Sequence, residues 1–126
     1  MSPFSSATPM AFIYVSDRAR TLAFYTGTLG FTVRDSDDYG DLLELGGVLL
    51  RVTVMPDQKP HAHPVFGWDV ADMNAVATAL AQKGIAFTVY EGMGQDARGI
   101  WTAPDGKSKL AWFPDPDGNV LMVTQG

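Results

Sequence analysis

Apolar positions along the chain change their spacing several times, and each change marks an element. Met10 to Val15 (MAFIYV) is a short apolar, β-prone run, and Ser16 and Asp17 after it supply side-chain oxygens of the kind that cap helix amides. Leu22, Tyr25 and Leu29 then follow steps of three and four residues, as one face of a helix does, and Gly30 is placed to end it. The pattern predicts a strand, a helix and, from Phe31 to Val33, the start of another strand.

The same order returns further on. Val65 to Val70 (VFGWDV) is strand-like, Asp72 is a helix cap, Met73, Val76, Ala77 and Leu80 mark one helical face, and Gly84 ends it. Val15-Ser16-Asp17 recurs as Val70-Ala71-Asp72, and Phe31-Thr32-Val33 as Phe87-Thr88-Val89, at nearly the same separation. Gly46-Gly47-Val48-Leu49-Leu50 likewise resembles Gly118-Asn119-Val120-Leu121-Met122, a turn followed by an apolar strand. Each half therefore reads β-α-β-β-β, with module one at about 10–54 and module two at about 65–124 of a single domain spanning 1–126. Between them MPDQKPHAHP, residues 55–64, holds three prolines and little apolar content and reads as a linker. An insertion from Tyr90 to Lys109 has no counterpart in the first half, and Ile100 to Ala103 within it predicts a short extra strand or lid.

Composition narrows the function. With 126 residues and 46% hydrophobic content the chain can fill one core. A net charge of -5 and nine scattered basic residues argue against nucleic acid or an anionic membrane as partner. The absence of cysteine excludes disulfides, thiolate nucleophiles and Cys-type metal sites, and suits a cytoplasmic protein. The start, MSPFSSATPM, lacks the pattern of a signal peptide, and no stretch approaches the roughly 18 consecutive apolar residues of a membrane span. Gly92-Met93-Gly94 lacks the strand and helix that flank a phosphate-binding loop.

The repeat, together with FYTGTLGF at 24–31 and FPDPDGNVL at 113–121, resembles the glyoxalase, bleomycin-resistance and extradiol-dioxygenase superfamily, the vicinal oxygen chelate proteins. That resemblance implies an α+β fold in which two β-α-β-β-β modules curve mixed sheets into a cup, commonly in a homodimer. Metalloenzymes of the family hold a divalent metal there, with His from the first strands and Glu from the last. Carried onto this chain, the first-strand positions fall on Met10 and Val65 and the last-strand positions on Leu50 and Met122. None suits a hard or borderline cation, because a thioether is a soft ligand and the rest are hydrocarbon. A slip of one residue would turn Arg51 into the cup in place of Leu50.

The resemblance and these residues together imply a metal-independent small-molecule binding protein without a cofactor. It would hold an apolar or aromatic ligand against Met10, Leu50, Val65 and Met122. The alternative is a lyase, isomerase or dioxygenase using a divalent metal on displaced ligands such as His61, His63 and Glu44, or Glu44 as a base. His61 and His63 share a face if extended, yet they sit in the linker, where a solvated loop is the simpler reading. Glu91 is a lesser carboxylate candidate. Trp68, which shares a strand face with Phe66, and Trp101, in the insertion, are candidate ligand platforms, and Arg51 is the polar candidate for orienting an anionic or carbonyl group. The run DSDDYGD at 35–41 lacks the spacing of a calcium loop and reads as a solvated hairpin. Asp115 and Asp117 read as turn formers before the final strand.

Overall fold

The computed structural model describes residues 2–126. They fall into two compact units, Met1–Pro60 and His61–Gly126, each built on its own four-stranded mixed sheet, an α+β arrangement. The division lies inside the predicted linker.

In the first unit β1 (Met10–Val15) leads into α1 (Arg18–Leu22), which continues as a π-helical turn over Ala23–Thr28. Then come β2 (Thr32–Asp37), β3 (Gly40–Leu45) and β4 (Val48–Val54), in the order β1-β4-β3-β2 with β1 parallel to β4. Asp17 caps α1 as predicted, its Oδ1 accepting from the Arg20 amide at 3.0 Å. The Thr26 hydroxyl donates to the Leu22 carbonyl at 2.6 Å, the oxygen that an α-helix would pair with the Thr26 amide. The next bonds run to residues further back, as from the Leu29 amide to the Phe24 carbonyl. Tyr25 is fully buried, edge-on to Phe31, and Gly30 ends the segment with φ 87°.

In the second unit β5 (Pro64–Asp69) and α2 (Met73–Gln82) are followed by β6 (Trp101–Thr102), β7 (Lys109–Pro114) and β8 (Val120–Gln125), in the order β5-β8-β7-β6. Asp72 caps α2 through the Ala75 amide, and Met73, Ala77 and Leu80 are buried, as their spacing predicts. Gln125 fixes the entry to α2 from the last strand, its Oε1 accepting from the Met73 amide at 2.6 Å.

Phe87-Thr88-Val89 does not form the strand that its match to Phe31-Thr32-Val33 predicts. The Thr88 amide reaches β7, donating to the Trp112 carbonyl at 2.7 Å. The neighbouring backbone groups are taken by the Gln95 side chain. Its Nε2 donates to the carbonyls of Thr88 and Gly99 at 2.8 and 2.7 Å, and its Oε1 accepts from the Tyr90 amide at 2.7 Å. One amide side chain from the insertion thus satisfies groups that a ladder would otherwise pair. The strand at that edge is instead β6, inside the predicted Ile100–Ala103 segment.

The two final strands differ in phase from what their sequence match implies. In β4 Leu50 and Val52 are buried and Arg51 lies between them, whereas in β8 Leu121 and Val123 are buried and Met122 lies between them. The buried cross-strand pairs are Leu43 with Leu50 and Phe113 with Leu121, and one more residue separates the second pair along the chain than the first. Because side chains alternate along a strand, that extra residue makes Arg51, not Leu50, the structural counterpart of Met122.

Candidate ligand-binding faces

Leu50 corrects the predicted lining. At 0% exposure it lies in the core of the first unit, paired across the strands with buried Leu43, on the face opposite Arg51. It therefore cannot touch a ligand on the open sheet face. Met10 does lie on that face, with its strand neighbours Phe12 and Tyr14, at 44%, 64% and 46% exposure. The register sets Phe12, Arg51 and Leu42 side by side on β1, β4 and β3.

Arg51 is already engaged. Its Nη2 donates to Asp37 Oδ1 and Oδ2 at 2.8 and 3.0 Å, and Asp37 Oδ1 also accepts from the Tyr39 and Gly40 amides. These donors, Arg51 first, hold the Asp37 carboxyl down at about 2. Asp41 is 2% exposed and is held by Arg18 and Ser36. The run 35–41 is therefore more than a solvated hairpin, since two of its carboxylates anchor arginines. The spacing of acidic residues alone carried no sign of those distant partners. Glu44, on the same face as Arg51, accepts from Arg34 Nη1 at 2.7 Å.

In the second unit three predicted residues come together. Val65, Trp68 and Met122 line an open cavity of about 380 Å³ beside the edge strand β5, with Phe66, Asp69 and Thr124. Trp68 is half-buried, stacked on Phe113 at 6.1 Å and edge-on to Phe66 at 5.2 Å. Asp69 is the residue that sequence reasoning missed. It alternates with Trp68 along β5, and its Oδ1 accepts from the Thr124 hydroxyl at 2.9 Å. The signal was a carboxylate inside an apolar strand, VFGWDV.

Trp101 lies on the sheet face shared by Leu110 and Thr124, outside that cavity's lining. Trp112, paired with Met122, is buried under the edge-on ring of Tyr90 at 5.7 Å. A second groove of about 280 Å³, between α2 and the 85–98 segment, contains none of the predicted site residues.

His61 and His63 are exposed, with rings stacked at 5.0 Å, and His63 Nδ1 lies 3.2 Å from the Pro64 carbonyl oxygen. Among the described residues no three His, Asp or Glu side chains are grouped to hold a metal ion. Glu44 belongs to the first unit and the histidines to the second. Glu91 is exposed. Asp115 is a turn former, its carboxylate accepting from the Asp117 and Asn119 amides and from Asn119 Nδ2, each at 2.9 Å. Among the described residues no helix is long and apolar enough to cross a membrane.

A family model described as the Glyoxalase/Bleomycin resistance protein/Dioxygenase superfamily matches residues 8–123. A search of curated proteins found no match. Among solved structures, the glyoxalase family protein from Enterococcus faecalis is 21% identical with TM-score 0.74, covering 96% of this chain and 98% of that one. TnmS3, an antibiotic binding protein from Streptomyces sp. CB03234, is 23% identical with TM-score 0.69, covering 94% and 93%. A glyoxalase/bleomycin resistance protein/dioxygenase from Alicyclobacillus acidocaldarius is 18% identical with TM-score 0.71, covering 92% and 88%. At such identities these likenesses speak to the fold.

Proposed function

The chain belongs to the glyoxalase, bleomycin resistance protein and dioxygenase superfamily, and from that premise we propose that it binds an apolar or aromatic small molecule without a metal. The observation that carries this reading is the cavity beside β5, where Val65 and Met122 stand at positions that the family resemblance assigns to metal ligands. Hydrocarbon and thioether with the indole of Trp68 suit an apolar ligand, and they offer a hard cation nothing. The antibiotic-binding description of TnmS3 supports a binding role. Met10 and Arg51 on the first unit's open face, and Trp101 on the second's, are proposed as further ligand contacts.

The test is direct. Protein purified without chelator is analysed for Zn, Ni, Mn and Fe, and its tryptophan fluorescence is titrated with aromatic metabolites and antibiotics. Saturable quenching with no stoichiometric metal supports the reading. About one metal per chain, with turnover of a substrate, would replace it by the lyase, isomerase or dioxygenase reading.

We also propose that the chain is a homodimer, since Phe12 and Tyr14 leave a large apolar surface uncovered on β1. Phe12→Glu should then shift the mass measured by light scattering from dimer to monomer.

A further inference from the structure

We propose that the groove between α2 and the 85–98 segment is a second binding site, one that takes a small apolar carboxylate and holds it through Arg98. This goes beyond the binding role assigned to the cavity beside β5 and does not depend on it.

Helix period puts Ala77, Leu80 and Ala81 on one side of α2, and all three line the groove of about 280 Å³. The facing wall is the chain that follows the helix. The Ile85 amide donates back to the Leu80 carbonyl at 2.9 Å, which holds the start of that wall against the helix end, and Phe87 and Val89 continue it. The 97–99 loop packs on the same wall, so closely that a Cβ on Gly99 would stand 2.8 Å from the Phe87 Cβ. Leu80 and Phe87 are buried and give the groove an apolar inner wall, while Ala77, Ala81 and Ala97, with one methyl each, leave it open.

Arg98 spans this groove. Its backbone belongs to the loop, yet its Nη2 donates to Thr78 Oγ1 on the helix at 2.8 Å. Thr78 lies three residues before Ala81, and residues at that spacing are neighbours on a helix surface, so the guanidinium is fixed at the helix-side rim. The cation and the apolar wall therefore belong to one groove, joined by a bond that crosses it. Arg18, Arg34 and Arg51 each bind a carboxylate, whereas among the described residues the Arg98 guanidinium has only a neutral hydroxyl. Asp96, the acidic residue nearest in sequence, turns Oδ1 to the amides of Arg98 and Ile100 instead, at 2.9 Å each.

A carboxylate can accept the remaining guanidinium donors in a charge-assisted pair while its hydrocarbon part displaces water from Leu80, Ile85 and Phe87. An amine would meet the like charge of Arg98. A neutral apolar molecule would cover part of the guanidinium without supplying an acceptor in place of water.

The probes are hexanoate, ionised at neutral pH, and hexanamide, of the same length and uncharged. Binding is followed by backbone amide chemical shifts. Hexanoate should bind about tenfold more tightly than hexanamide and shift Ala77, Ala81 and Ala97. Raising NaCl to about 0.5 M should shrink that preference in the wild type, a readout that needs no variant to fold. Arg98→Met should abolish the preference and Arg98→Lys should restore part of it. Ala81→Leu, which fills the groove from an exposed helix position, should weaken both probes. Equal binding of the two probes, or a preference that survives in Arg98→Met, overturns the role of Arg98. Shifts centred on Gly67, Met122 and Thr124 would put the acid in the cavity beside β5 and overturn the second site. Failure of hexanoate to bind overturns the proposal and leaves the reading of that cavity standing.

Discussion

Arg18 and Asp41 form a two-pronged pair, Nε to Oδ2 at 3.0 Å and Nη2 to Oδ1 at 2.9 Å, that fastens the start of α1 to β3. Arg18 Nη2 also donates to the Gly40 carbonyl at 2.8 Å, and Ser36 Oγ donates to Asp41 at 2.6 Å. Removing Asp41 strands these donors around a buried position. Asp41→Ala is expected to lower unfolding free energy by about 1–3 kcal/mol, reduced from a fully buried pair because Arg18 is partly exposed. Urea titration checks this, and a cycle with Arg18→Ala should show that the two losses do not add.

Asp37 ties acid sensitivity to the first unit. Its carboxyl is drawn from 3.8 down to about 2, mainly by Arg51 and then by the Tyr39 amide. A carboxylate with a lower pKa folded than unfolded contributes stability above its unfolded value and loses it as pH falls through the folded value. Stability should therefore decline from about pH 4 to about pH 2. Asp41 and Asp105 are shifted the same way, so the informative quantity is a difference between variants. Arg51→Met should flatten part of the decline in acid-dependent thermal melts, and an unchanged slope would show that the pair does not contribute.

Gln95 holds the segment that fails to become a strand. Gln95→Ala leaves the Tyr90 amide and the Thr88 and Gly99 carbonyls to find water, with an expected cost of about 1–3 kcal/mol. Because Tyr90 lies edge-on to Trp112, the same change should alter tryptophan emission. Faster amide exchange at Tyr90, with α2 still protected, would locate the loosening. Equal exchange at both would argue against Gln95 as the tether.

Much of the fold was legible because it depends on local chemistry and period. Asp17 and Asp72 announced their helices, Gly30 ended the first with positive φ, and the apolar run MAFIYV gave β1, although which of its alternate residues enter the core, Ile13 and Val15, came only from the structure. Features set by distant partners were not legible. Nothing near Arg51 or Arg18 indicates Asp37 or Asp41 as their anchors, and nothing in FTV at 87–89 shows that Gln95 takes its backbone groups. The candidate cavity was legible only in part for the same reason. Val65 and Met122 came from the family resemblance and Trp68 from the strand face it shares with Phe66, and the structure sets all three along one cavity lining, while Asp69 stands out only once that lining beside the edge strand β5 is seen.

The phase of the final strands provides the last test. The sequence match Gly46–Leu50 with Gly118–Met122 equates Leu50 with Met122, while the register equates Leu50 with Leu121 and Arg51 with Met122. Leu50→Ala and Leu121→Ala, each emptying a fully buried position, should each cost about 2–5 kcal/mol. Met122→Ala on the open face should cost about 1 kcal/mol, and Arg51→Ala no more, since its partner Asp37 is exposed. Chemical denaturation of the four variants separates the alternatives. A Met122→Ala loss as large as that of Leu121→Ala would put Met122 in the core and remove it from the open sheet face.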